Sequence, residues 1–150
     1  MKPLFVMLIV FVLAVAINKF AFGDYHLALS GRISLSAMLV FSAIGHFVFT
    51  KGMSLMLPNF VPFKSALVYV TGFIEILFAI AIFFPNYRML TAWLIIAFLI
   101  VVLPTNIYAA IKQLDYQKAT FNGNGIKYLW FRIPLQIFFI VWTYFSTIYY

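Results

Sequence analysis

Apolar residues run along this chain in five long blocks, Pro3 to Phe22, Ile33 to Phe49, Ser65 to Phe84, Met89 to Ile111 and Tyr128 to Ser146. Short connections between them hold most of the charged side chains. Each block approaches the ~20 residues that cross a hydrocarbon layer about 30 Å thick at about 1.5 Å per helical residue. Continuous runs select α-helices over a β-barrel, whose strands alternate in polarity, because backbone in lipid must satisfy its hydrogen bonds internally. The pattern predicts an all-α fold, a polytopic transmembrane helical bundle, with residues 1–150 as a single transmembrane domain. No internal repeat or low-complexity tract interrupts it.

The connections differ in character. Pro85-Asn86-Tyr87-Arg88 is a tight turn that predicts an antiparallel hairpin of the third and fourth spans. Between Thr50 and Lys64, Met53, Met56, Leu57, Phe60 and Val61 are broken by Pro58 and Pro62. This spacing suits a short segment lying along the membrane surface, or a loop packed on the bundle. Asn122-Gly123-Asn124-Gly125 signals a turn and lacks the spacing of a phosphate-binding loop. In the first block, Lys2, an apolar core and Ala14-Val15-Ala16 also fit a signal peptide, whereas Asn18 and Lys19 read as the polar end of a retained helix. Trp93, Trp130, Trp142, Tyr144, Tyr149 and Tyr150 fall near span ends, as an aromatic belt requires.

Composition agrees with the pattern: 66% of residues are hydrophobic and 9% charged, with a mean hydropathy of +1.09, against about 25% charged in soluble domains. Ten basic residues against three acids give a net charge of +7. Because the basic residues sit in connections beside spans, they point to headgroups and topology rather than to nucleic acid. Lys2, Lys51, Lys64, Lys112, Lys118, Lys127 and Arg132 fall at one set of span ends, and Lys19, Arg32 and Arg88 at the other. Seven against three places the first set in the cytoplasm. The expected location is a bacterial cytoplasmic membrane, N-terminus inside and C-terminus outside. With no cysteine, the chain itself forms no disulfide, thiolate redox pair, iron–sulfur ligation or Cys-based zinc site.

Polar residues inside the spans mark the candidate site. Glu75 is the only acid within any block, and His46, Asn106, Arg132 and Gln136 accompany it. Counted from the nearest cytoplasmic lysine at about 1.5 Å per residue, His46 lies about 8 Å deep, Asn106 about 9 Å, Arg132 about 8 Å, Gln136 about 14 Å and Glu75 about 16 Å. All five fall in one half of the membrane. Helical side chains lean toward their own N-terminus, so His46 and Asn106 lean deeper while Glu75, Arg132 and Gln136 lean back. Their heads are expected to converge on one layer, with Glu75, His46 and Arg132 sharing a site. Ser42 and His46 share a face, as do Arg132 and Gln136, and Gly72, Glu75 and Ala79 form a mostly small stripe suited to close helix approach.

Each of these residues also has a purely structural reading. Arg132 could snorkel to headgroups, His46 could bond a neighbouring backbone, Asn106 could bond the carbonyl freed by Pro104, and Glu75 could make an interhelical pair. Five polar groups at one level are harder to dismiss than any one of them. No metal site is expected: His46 is the only histidine in a span, and His26 lies on the opposite side, so bis-histidine haem ligation has no second ligand at the right depth. Asp24 and Asp115, both in connections, offer no Ser-His-Asp arrangement.

Gly45-His46-Phe47, Pro58, Gly72 with Glu75, Pro85 with Arg88, and Pro104 with Asn106, followed by a final span through Gln136, resemble the DoxX-like family of small membrane proteins. The resemblance covers most of the chain. It implies a four-helix core, with Pro3 to Phe22 as an added N-terminal helix, and for some members a link to quinone-dependent oxidation of sulfur compounds within larger complexes. Three functions are then in view. The first is an accessory or quinone-binding subunit of a membrane redox system, with a lipid-soluble ligand in the polar layer. The second is a noncatalytic protein that uses the layer to fix helix register while binding a membrane protein partner. The third, a proton-linked carrier, lacks the repeated halves or paired broken helices expected of one.

Overall fold

The computed structural model describes residues 2–149, so Tyr150 lies outside the described residues. Six α-helices follow in order: α1 (Lys2–Phe22), α2 (Leu27–Val48), α3 (Thr50–Ser54), α4 (Lys64–Ala81), α5 (Arg88–Ile111) and α6 (Leu129–Thr143). A 3-10 turn, Gly125–Tyr128, leads into α6, and a π-helical turn, Tyr144–Tyr149, continues it. Five helical stretches are long and apolar enough to cross a membrane: α1, α2, α4, α5 and the continuous Gly125–Tyr149 segment. The protein is an all-α transmembrane bundle. No strand is named among the described residues; one isolated bridge pairs Asp115 with Thr120 in the connection after α5.

Helix α2 is central and packs against α1, α4, α6 and the π-helical turn, whereas α4 meets its sequence neighbour α5 only sparingly. The buried face of α4 is Val68, Gly72, Glu75 and Ala79, the period expected of one helical stripe. Small residues there let α4 approach α2: a Cβ on Gly72 would sit 3.0 Å from the Cβ of His46. Below that contact Ser36 donates its hydroxyl to the Ala79 carbonyl at 2.8 Å. Leu35, Leu39, Ile82, Ile95, Leu99, Leu135 and Phe139 form the apolar core, which Met7 of α1 joins at 0% exposure. Helix α1 is tied in further by Asn18, whose amide donates to the Ser30 hydroxyl at 2.9 Å in a buried contact. Asn18 is thus a packing residue, not the exposed polar end of the first span.

Boundaries depart from the apolar blocks in informative places. The second span begins at Leu27 rather than Ile33, so Arg32 lies inside the helix and is 9% exposed. Its guanidinium meets the Ser146 carbonyl, which lets a charge sit where composition alone marks a span end. Trp142 is no simple belt residue: its indole donates to the Gly31 carbonyl at 3.2 Å and meets the Phe11 ring edge-on. Trp93 and Trp130 do remain exposed. From α3 into its connection to α4 the chain packs on the bundle through Met53, Met56 and Leu57 while Phe60 and Phe63 stay exposed. Gly52 abuts the Tyr116 backbone so closely that a Cβ would overlap the Tyr116 carbonyl. The two connections at this end of the bundle are therefore in direct contact.

Candidate functional site

Two polar ladders face each other across the α2–α4 contact. On α2, Ser42 and His46 stand one turn apart, and on α4, Thr71 and Glu75 do the same, so each pair shares a helix face. The Ser42 hydroxyl donates to Glu75 Oε1 at 3.1 Å, and His46 Nε2 lies 3.5 Å from Glu75 Oε2. This is the one contact of ion-pair range among the described residues. On its other edge the imidazole places Nδ1 at 3.0 Å from the Val68 carbonyl and 3.0 Å from the Thr71 hydroxyl. Thr71 spends its own proton on the Leu67 and Val68 carbonyls. A carbonyl can only accept, so the hydrogen belongs on Nδ1. Nε2 then faces Oε2 with a single lone pair unless a proton lies between them, held by either group. Glu75 is 5% exposed, and Oε2 has no hydrogen-bond partner.

The remaining three residues come from α5 and α6. Arg132, half-buried, donates from Nη2 to Asn106 Oδ1 at a long 3.4 Å. The structure thus pairs Arg132 with Asn106; no hydrogen bond or ion pair joins it to Glu75 or His46. Gln136, one turn further along α6, donates from Nε2 to the Leu99 carbonyl at 2.7 Å. That carbonyl lies in the turn preceding Pro104, whose ring removes a donor and displaces the neighbouring ladder. The carbonyl that Pro104 leaves without its helical donor is that of Ile100, four residues before it, so Gln136 bonds its neighbour and the Asn106 amide bonds neither. Asn106 is 6% exposed, and its Nδ2 has no partner.

All five residues line a single cavity of about 180 Å³ between α2, α4, α5 and α6. Its apolar wall comes from Leu39, Leu99 and Phe139 of the core. Met53 of α3, Met56 and Leu57 of the α3–α4 connection, and Pro3 of α1 complete the lining toward the end nearer the basic loops. The two buried groups left without partners, Glu75 Oε2 and Asn106 Nδ2, are an acceptor on α4 and a donor on α5. Burying such groups unpaired costs about 1–3 kcal/mol each. A guest offering both a donor and an acceptor would remove that cost.

Sequence reasoning passed over Thr71, although it had a signal, the i,i+4 spacing to Glu75. Met53, Met56 and Leu57 stand out in the sequence as apolar positions of a surface or packed segment, but not as lining of the site, because a connection's packing surface is set by neighbours distant in sequence. No curated protein and no solved structure matches the chain. The profile of DUF8561, a domain of unknown function, matches residues 35–147. The match runs from the middle of α2 into the π-helical turn, encloses every polar residue of the cavity and leaves α1 outside. Because it spans most of the chain, the protein belongs to the DUF8561 family.

Proposed function

We propose that this chain is the ligand-binding or accessory subunit of a membrane redox system, and that its cavity receives the head of a lipid-soluble carbonyl compound of the quinone class. One observation carries the reading: Glu75 Oε2 and Asn106 Nδ2, both buried and unpartnered, line the same mostly apolar cavity. Such a combination is how membrane-embedded pockets orient a small apolar guest. Size fits as well. An apolar cavity of about 150 Å³ holds a benzene ring, so about 180 Å³ takes one substituted ring and leaves an isoprenoid tail to the lipid. Asn106 and Arg132 are the donors for one ring oxygen; at the other, Glu75 Oε2 accepts the hydroxyl of a quinol or, when protonated, donates to the carbonyl of a quinone. A quinone would supply two-electron redox chemistry there; these residues would bind it, orient it and hold a proton. The resemblance to DoxX-like proteins supports the same reading, since Gly45-His46-Phe47, Gly72, Glu75 and Asn106 border or line this cavity.

In the orientation we propose, the cavity lies in the cytoplasmic half. With Arg32 and Arg132 placed within helices, the loop and span-end basic residues divide six against two, Lys2, Lys51, Lys64, Lys112, Lys118 and Lys127 against Lys19 and Arg88. The second reading, a structural polar layer in a membrane assembly protein, draws on the Ser42–Glu75 and His46–Val68 bonds that join α2 to α4. Calorimetric titration of the purified chain in lipid nanodiscs with short-tailed ubiquinone and menaquinone analogues separates the two. Saturable binding that Asn106→Leu weakens at least tenfold is the expected result. Equal behaviour of wild type and Asn106→Leu, or no saturable binding by either, refutes the quinone reading and favours the structural one.

A further inference from the structure

The end of the bundle away from the cavity holds a second polar group with no part in that site. Arg32 lies on the second turn of α2, roughly 21 Å along the helix from His46 at about 1.5 Å per residue. It is 9% exposed. Its one protein hydrogen bond runs from Nη1 to the Ser146 carbonyl at a long 3.4 Å, and its Nε is buried without a partner. The Nε of Arg88, the first residue of α5, is buried and unpartnered as well. Both lie at the end of the bundle where the π-helical turn packs against α2 and α5. Gly31 allows that approach, since a Cβ there would sit 2.7 Å from the Ser146 Cβ. The guanidinium charges are close enough to act on each other.

No counter-charge balances them among the described residues. Glu75 and Asp115 belong to the opposite half of the molecule, and Asp24 is exposed in the α1–α2 turn without an ion pair. Like charges brought together in a poorly hydrated place destabilise a fold unless an anion joins them. Each unmet Nε–H belongs to a planar fork that matches a tetrahedral oxyanion with paired hydrogen bonds. A structural arginine that only served the Ser146 carbonyl would not explain the second arginine.

We infer that Arg32 and Arg88 form a binding site for a phosphate group at the end of the bundle opposite the cavity. Arg32 leans toward the N-terminus of α2, hence toward the membrane surface, where the phosphate of an anionic phospholipid headgroup is at hand. Free phosphate has the same chemistry. This site is independent of whether the cavity binds a quinone.

The test uses the full chain in dodecyl maltoside, titrated with dihexanoyl-phosphatidylglycerol and separately with sodium phosphate, each against sodium chloride at matched ionic strength. The readouts are the thermal midpoint and tryptophan fluorescence, for which Trp142, bonded to the Gly31 carbonyl beside Arg32, is a local reporter. A ligand that binds only the folded chain raises its midpoint saturably. Arg88→Gln and Arg32→Gln are each expected to weaken that response at least tenfold, with Arg88→Lys in between. Saturation by both probes, in competition, means that the phosphate group suffices; saturation by the lipid alone identifies a headgroup as its source. Either outcome supports the site. Neither probe exceeding chloride overturns it, as does an Arg88→Gln protein that responds like wild type. Should Arg32→Gln fail to fold, Arg88→Gln, at a half-buried helix start, still decides.

Discussion

Replacing Glu75 with leucine and with glutamine separates the hydrogen-bonding role of this side chain from its volume. In the structure Glu75 Oε1 accepts from Ser42, and Oε2 faces His46 Nε2 at 3.5 Å. Leucine fills nearly the same space and removes both acceptors. The Ser42 hydroxyl can then turn to a carbonyl of its own helix, but His46 Nε2 has no substitute, since its ring is held by Val68 and Thr71 on the other edge. One buried nitrogen left unsatisfied costs about 1–3 kcal/mol, and each interhelical hydrogen bond lost in a membrane adds about 0.6 kcal/mol on average. Glu75→Leu is therefore expected to lose about 2–3 kcal/mol. Glutamine keeps an acceptor for Ser42 and presents an amide donor to Nε2, so its loss should stay below about 1 kcal/mol. The gap corresponds to a roughly fivefold or greater difference in the folded-to-unfolded ratio. Reversible unfolding of the full chain in bicelles by titrated dodecyl sulfate, followed by circular dichroism, measures it. Equal stability of the two variants, within about 0.3 kcal/mol, would refute a hydrogen-bonded Glu75.

For the proposed ligand site, Glu75→Gln and His46→Gln should each weaken binding of a short-tailed quinone, with a combined effect that is non-additive because contacting groups couple; a double-mutant cycle by titration measures this. Gly72→Ala should cost about 1–3 kcal/mol in the same unfolding assay, since its Cβ would press on His46 and Phe47 at 3.0 and 3.2 Å. Gly52→Ala should part the two connections in contact at this end of the bundle, because Tyr116 backbone occupies the space a Cβ needs; faster tryptic cleavage at Lys112 and Lys118 would report it. Reporter fusions should place the N-terminus in the cytoplasm and the C-terminus outside, and an active cytoplasmic reporter at the C-terminus would reverse that orientation.

The apolar blocks alone determined that this chain is a bundle of membrane-crossing helices, because a bilayer leaves a backbone few alternatives and a span needs a nearly fixed length. Depth was legible for a related reason. Helical rise is constant, so counting from loop lysines gave His46, Glu75, Asn106, Arg132 and Gln136 levels near enough to meet, and all five line one cavity. The meeting of His46 with Glu75 was expected from their opposed lean, but the rotations and close approaches that choose every other partner were not legible. His46 meets Glu75 because Gly72 lets α4 close on α2, whereas Arg132 turns to Asn106 and Gln136 to the Leu99 carbonyl. Arg32 shows the other limit of a linear reading. A charge beside an apolar run looks like a boundary, and only the neighbouring carbonyl of Ser146, 114 residues away in sequence, makes it an interior residue. Sequence fixes what each short segment must do in lipid; which polar groups become partners is a property of distant surfaces meeting, and that is decided only when the helices pack.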